Sequence, residues 1–133
     1  SKELRMKTIK QIVNFKAAPH EVFEALMDSK KHSAFTSSKA SISRKVGGKI
    51  SAYDGYIVGK NLQILKDKKI IQSWRGSGWP KGHFSKATFL LTKTKTGTKL
   101  NFTQTNVPDN EYKEISKGWY EHYWYHLKEY LEK

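Results

Sequence analysis

The chain has 133 residues, of which 37% are hydrophobic and 13% aromatic, so it is the size of one domain with a ring-rich core. It carries 25 Lys and Arg against 12 Asp and Glu, a net charge of +13, which calls for an acidic partner or a solvated cationic surface. It contains no cysteine, which excludes disulfides and thiolate chemistry, and no apolar run approaches the roughly 20 residues of a membrane helix.

In chain order, residues 7–15 alternate as a strand with Ile9, Val13 and Phe15 on one face. Ala17-Ala18-Pro19 ends it, and Pro19 suits the first turn of a helix carrying Val22, Phe23, Leu26 and Met27. A second short helix is expected from Asp28 to Phe35, capped by Asp28 or Ser29. From Lys39 to Thr105 the pattern becomes short alternating runs near 40–45, 49–54, 57–65, 69–76, 84–93 and 98–105. Gly47-Gly48, Asp54-Gly55, Asp67-Lys68 and Thr96-Gly97 supply the turns. One long helix is expected at 109–131, with Ile115, Trp119, Tyr123, Leu127 and Leu131 four residues apart. This order defines an α+β class over a single domain, 1–133. A curved antiparallel sheet of six or seven strands would wrap around the last helix, with two short helices after the first strand.

Charge is unevenly placed. Residues 1–19 sum to +4 and residues 38–100 to +12, whereas residues 20–37 and 101–133 sum to −1 and −2. The excess therefore belongs to strands and loops. Arginine appears only at Arg5, Arg44 and Arg75, which argues against base or phosphate readout, where bidentate arginine is favoured. Runs such as Lys93-Thr94-Lys95 also lack the interleaved aromatics of a nucleic-acid groove. The absence of an apolar leader run in Ser1–Lys10 and of cysteine fits a reducing cytoplasm.

Nothing in the sequence reads as catalytic. There is no Gly-x-Ser-x-Gly elbow, and the acids fall on helix surfaces and in turns such as Asp54 and Asp67. His122 and His126 have the i, i+4 spacing of two metal ligands, but only Glu121 and Glu129 lie near, so packing or rim roles are expected and no metal or cofactor is. The aromatics are more informative. Trp74, Phe84, Phe89, Phe102, Trp119, Tyr123 and Trp124 fall on adjacent strands and the facing helix, and would line either a core or a hollow for a small apolar ligand. Trp79, in a glycine-ringed loop before Pro80, is expected to stand exposed as a partner anchor.

Several stretches resemble one family. They are Ser43–Ile57 with Gly59-Lys60-Asn61-Leu62, Lys68–Arg75, Trp79-Pro80, His83-Phe84-Ser85, Thr98-Lys99-Leu100, Gln104–Pro108, Gly118-Trp119 and Tyr123-Trp124. Together with Ala18–Leu26 they are similar, in order and with few gaps, to the activators of heat-shock-protein-90 ATPase. The resemblance implies the helix-grip fold shared with START domains and the birch pollen allergen. It also implies a co-chaperone module that binds a heat-shock-protein-90 chaperone and raises its ATPase activity weakly if at all; a monomer is expected. The charge map supplies the contact surface, Lys45, Lys49, Lys60, Lys69, Arg75 and Lys81, with Trp79-Pro80 as apolar anchor. The alternative is a carrier or sensor of a small hydrophobic ligand in the cavity between sheet and helix.

Overall fold

The computed structural model describes residues 5–133, so residues 1–4 of the expected 1–133 domain, and of the Ser1–Lys10 stretch read above, lie outside it. β1 (Met6–Phe15) is followed by α1 (Pro19–Met27) and α2 (Ser29–Thr36). Then come β2 (Ser41–Ile42), β3 (Lys49–Ala52), β4 (Ile57–Leu65), β5 (Lys69–Gly76), β6 (Ser85–Lys93) and β7 (Thr98–Pro108). The strands form one seven-stranded antiparallel sheet in the order β1-β7-β6-β5-β4-β3-β2. It is a meander from β2 to β7, closed on its far edge by β1. The sheet curls around the C-terminal helical segment, with α1 and α2 packed beside it.

Local chemistry accounts for the start of each helix. Pro19 opens α1, where its missing N–H is no loss and its fixed φ suits the first turn. Asp28 caps α2 by accepting a hydrogen bond from Lys31 N at 2.9 Å, and such backbone donors hold its carboxyl below the ordinary carboxylate range. The curvature of the sheet is visible at Gly59. A Cβ there would lie 1.8 Å from the Ser73 carbonyl oxygen, so only glycine lets β4 coil this tightly against β5.

Two elements depart from the sequence reading. The run expected as a strand over 40–45 pairs only at Ser41–Ile42. Asn61, wholly buried, donates through Nδ2 to the carbonyls of Ser43 and Lys45, at 2.6 and 3.1 Å, and its own carbonyl accepts from Gly47 N. Those bonds fold Ser43–Gly48 into a loop, because a buried amide satisfies the groups that a strand ladder would have used.

The last helix is not uniform. A 3-10 turn at Asp109–Glu111 leads into α3 (Tyr112–Trp119), a wide π turn at Tyr120–Trp124 follows, and α4 (Tyr125–Leu131) completes it. The backbone stays helical across both junctions. A π turn brings residues five apart onto one line. Accordingly Trp119 stacks on Trp124, with centroids 5.3 Å apart and planes 18° apart, and Tyr120 meets Tyr125. The expected four-residue stripe therefore widens at this point: Tyr123 and Trp124 are both buried, while Leu131 is only partly covered.

The helix is tied to the sheet by two indoles. Trp119 Nε1 donates to Gln104 Oε1 and Trp124 Nε1 donates to Gln11 Oε1, each at 2.7 Å. Gln104 passes the chain on, donating to Ser85 Oγ at 2.9 Å, and Ser85 Oγ donates to the Trp74 carbonyl at 2.7 Å. Gln11 also donates to the Ser116 carbonyl at 2.8 Å. Apart from the half-buried Ser116, these residues are buried, so losing one partner leaves an unanswered polar atom in a dry core. Gln104→Leu keeps the apolar volume but strands the Trp119 N–H and removes the donor to Ser85 Oγ, whose own hydroxyl keeps the Trp74 carbonyl. It is expected to lower the unfolding free energy by about 1–3 kcal/mol, measured by urea denaturation followed through tryptophan fluorescence. An unchanged midpoint would show that the network contributes nothing.

Candidate functional site

Two surfaces emerge from this architecture, a cationic outer sheet face and an aromatic cleft on the helix side. The seven strands contain no Asp or Glu, yet they carry Lys7, Lys10, Lys49, Lys60, Lys69, Arg75, Lys86, Lys93 and Lys99. Strand alternation turns apolar residues inward and leaves these cations on the outer face or at strand ends. The register gathers some of them. Lys49 lies directly opposite Lys60, Lys60 opposite Ser73, and Ser73 opposite Lys86, so a row of cations crosses four strands. Like charges placed opposite each other cost stability. Among the described residues, none of Lys45, Lys49, Lys60, Lys69 or Lys86 has an acid within ion-pairing distance.

The sequence candidates are not one cluster. Lys45 sits in the loop that Asn61 folds, near Lys60, and Lys49 and Lys60 are adjacent. Lys69 lies at the other end of β5, opposite Leu65 on one side and Leu90 on the other, both exposed. Arg75 and Lys81 belong to the β5–β6 end. Lys86 was missed because no local motif marks it; only the pairing register aligns it with Lys60.

The expected exposure of Trp79 is corrected. Its side chain is 4% exposed and packs on Trp74 at a centroid distance of 5.4 Å. The loop folds back because Trp79 N donates to the Gly76 carbonyl at 3.2 Å. Arg75 Nη2 then clamps it by donating to the Trp79 carbonyl at 2.6 Å and the Pro80 carbonyl at 3.3 Å. Pro80 and Lys81 remain exposed. Phe84 is likewise corrected: it was expected in the cavity but is 40% exposed, standing 5.9 Å from the Arg75 guanidinium.

On the other side a cleft of about 480 Å³ opens between the helix and the β3–β4 hairpin. Of the expected cavity residues, Trp74, Trp119 and Tyr123 line it. Phe89, Phe102 and Trp124 do not; they pack into the core beneath, where Phe102 meets Trp119 at 4.4 Å and Trp124 at 5.4 Å. Tyr53 and Tyr56 complete the lining and were not anticipated, although they flank the Asp54-Gly55 turn that the sequence does mark. The Tyr53 hydroxyl donates to the His122 carbonyl within the π turn, and burial pushes its pKa up to about 12. His122 rims the cleft, His126 is exposed, and no cluster of three or more metal-type ligands occurs among the described residues.

Behind the cleft lies His32, buried between two partners. The Leu26 carbonyl, 3.0 Å from Nδ1, requires a donor there, so Nε2 is unprotonated and accepts from the Tyr123 hydroxyl at 3.0 Å. Burial holds the His32 pKa below the ordinary imidazole value and raises that of Tyr123. No helix among the described residues is long and apolar enough to cross a membrane.

A curved antiparallel sheet gripping a C-terminal helix, with a cleft along that helix, defines the helix-grip class of α+β proteins. Residues 16–132 match the model of the Activator of Hsp90 ATPase homolog 1-like protein family, and the chain belongs to that family. It is 32% identical over 120 residues to a Dictyostelium discoideum activator of 90 kDa heat shock protein ATPase homolog, covering 90% of this chain and 31% of the relative. Against the Homo sapiens homolog 1 the figures are 27% identity, 86% of this chain and 34% of the relative. The chain thus spans about a third of the length of these curated relatives. The crystal structure of an HSP90 activator from Plasmodium falciparum superposes with a TM-score of 0.81 at 27% identity, covering 92% of both chains. A Mesorhizobium loti protein shares the fold, with a TM-score of 0.78 at 21% identity over 95% of this chain and 97% of its own.

The His32 geometry has a consequence for pH. An unfolded histidine takes a proton as pH falls through about 6.5, whereas the folded chain resists until lower pH. Stability is therefore full above about 6.5 and declines as pH drops from there toward the depressed folded value. Thermal melting between about pH 7.5 and pH 5 should show this fall, and His32→Gln should flatten it. An identical slope in the variant would place the dependence elsewhere.

Proposed function

We propose that residues 1–133 form a single, non-catalytic co-chaperone module that binds a 90-kDa heat shock protein and stimulates its ATPase. The family and the Plasmodium falciparum activator of matching length support the choice of partner. The observation that carries the mode of binding is the acid-free, cationic outer face of the sheet, where Lys49, Lys60 and Lys86 stand in register without counter-charges among the described residues. An acidic surface on the chaperone would relieve their mutual repulsion and accelerate encounter. Charge alone gives little affinity, so an apolar contact must accompany it. Trp79 is buried and cannot serve. Val58 and Leu62, either side of Lys60, Leu65 and Leu90, which flank Lys69, and Phe84 beside Arg75 are among the exposed apolar groups on this side. The cleft supports a second reading, in which the same fold carries or senses a small apolar molecule.

The test mixes the purified protein with a 90-kDa heat shock chaperone at low and moderate salt, following binding and ATP turnover. Binding should weaken with salt, and Lys60→Glu with Lys86→Glu should weaken it about tenfold or more. Lys113→Glu, on the helix and away from the sheet, should change little. Trp79→Ala should act instead by lowering stability, by about 3–5 kcal/mol for an indole removed from a packed core. Absence of binding by the unaltered protein at low salt would end the co-chaperone reading.

A further inference from the structure

Gly118 lies within the C-terminal helix and lines the cleft. A glycine there weakens a helix relative to alanine. Packing does not require it: a Cβ at Gly118 would meet only His122 Cδ2, at 3.6 Å, which is ordinary contact. Its φ is not in the left-handed region either. What the missing side chain does provide is open space, because it keeps the helix wall of the cleft bare.

The space is bounded by rigid rings. Trp119 is fixed by Gln104, Tyr123 by His32 and Tyr53 by the His122 carbonyl, while Trp74 and Tyr56 close the sheet side. A volume of about 480 Å³ is in the range of small-molecule sites, and fixed aromatic walls favour a flat partner that stacks on them. Charge narrows the class further. In a chain of net charge +13, Lys117 is the one Lys or Arg on the cleft lining among the described residues, its ammonium 3.9 Å from Glu121, and Glu114 adds a second carboxylate. An anionic head group finds no free cation here and meets an extra carboxylate.

One buried donor lies unanswered close to the far end. Trp79 Nε1 has no hydrogen-bond partner among the described residues. A Cβ on Gly76 would be 3.1 Å from it and 3.6 Å from the Tyr56 ring, so a second position without a side chain separates this donor from the cleft wall.

We propose that this cleft binds an uncharged, flat aromatic molecule, seated over the bare helix backbone at Gly118 and between the tryptophan and tyrosine walls. The proposal rests on the second reading above, of this cleft as a carrier or sensor site. A charged probe held in the cleft would overturn the ligand class while leaving that reading standing. The test contains no chaperone, so the co-chaperone reading can fail separately.

The probe is N-phenyl-1-naphthylamine, uncharged and brighter in apolar surroundings, titrated against the full chain. Its counterpart, 1-anilinonaphthalene-8-sulfonate, has the same rings plus a sulfonate. The neutral probe should bind with a Kd of about 1–10 μM. Gly118→Phe, which fills the cleft, should weaken it at least about tenfold at an unchanged melting midpoint. Gly118→Ala should keep binding and melt no lower than the unaltered protein. Gly118→Leu replaces the phenylalanine variant if that one melts early. Sulfonate binding, wherever it occurs on the basic surface, should be indifferent to Gly118→Phe. No binding of the neutral probe, or binding that survives both filling variants, overturns the site. Tighter binding of the sulfonate that is lost on filling overturns the ligand class.

Discussion

The structure depends on holding an aromatic helix inside a curved sheet, and two indole-to-glutamine hydrogen bonds set how that is done. A greasy helix on a greasy sheet could slide, because hydrophobic burial is non-directional. Trp119 to Gln104 and Trp124 to Gln11 remove that freedom, since each indole N–H has one acceptor at 2.7 Å in a dry interior. The π turn follows from the same requirement. With ordinary helical spacing, residues 119 and 124 would diverge around the helix by more than a quarter turn. Widening one turn stacks them, so that both reach glutamines on neighbouring strands, β7 and β1. It also leaves the His122 carbonyl to accept the Tyr53 hydroxyl, which fixes the mouth of the cleft.

Much of this fold is legible in the residues, for identifiable reasons. β4 and β5 are seen at 57–65 and 69–76, as expected, because β-branched runs bounded by the Asp54-Gly55 and Asp67-Lys68 turns mark their ends, whereas the shift in their pairing between Asn61 and Gln63 has no local signal. The strand expected over 40–45 shrinks because Asn61, distant in sequence, captures its carbonyls, and no local pattern announces a buried amide. The π turn was equally hidden, since Trp119, Tyr123 and Leu127 satisfy a four-residue period on their own.

The candidate sites are less legible in the sequence than the fold, for one physical reason. Composition identifies cations and rings but not the side of the sheet on which each one lies. Trp79 was expected outside because it sits among glycines; those glycines instead let the loop fold back so that its ring meets Trp74, with Arg75 clamping the carbonyl above. Phe84, expected inside, is exposed, while the neighbouring Ser85 points into the core network. A shift of one residue in a strand exchanges inside for outside. Lys86 gains its interest only through register, and Tyr53 and Tyr56 only through the hairpin that carries them to the helix.

β5 joins the two surfaces, since Trp74 faces the cleft side and its neighbours Ser73 and Arg75 face the other way. That proximity does not by itself couple them. Coupling needs an element with two arrangements that both sites bias. β5 is paired on both sides, Trp74 is packed between Trp79 and Trp119, and its carbonyl accepts the Ser85 hydroxyl. A close-packed strand of this kind resists small displacements, because neighbouring side chains leave no second arrangement of comparable energy. A molecule stacked in the cleft would therefore leave the cationic face as it stands. The two surfaces can serve different partners, and the acids that the strands lack are instead found at the mouth of the cleft, on the helix, as Glu114 and Glu121.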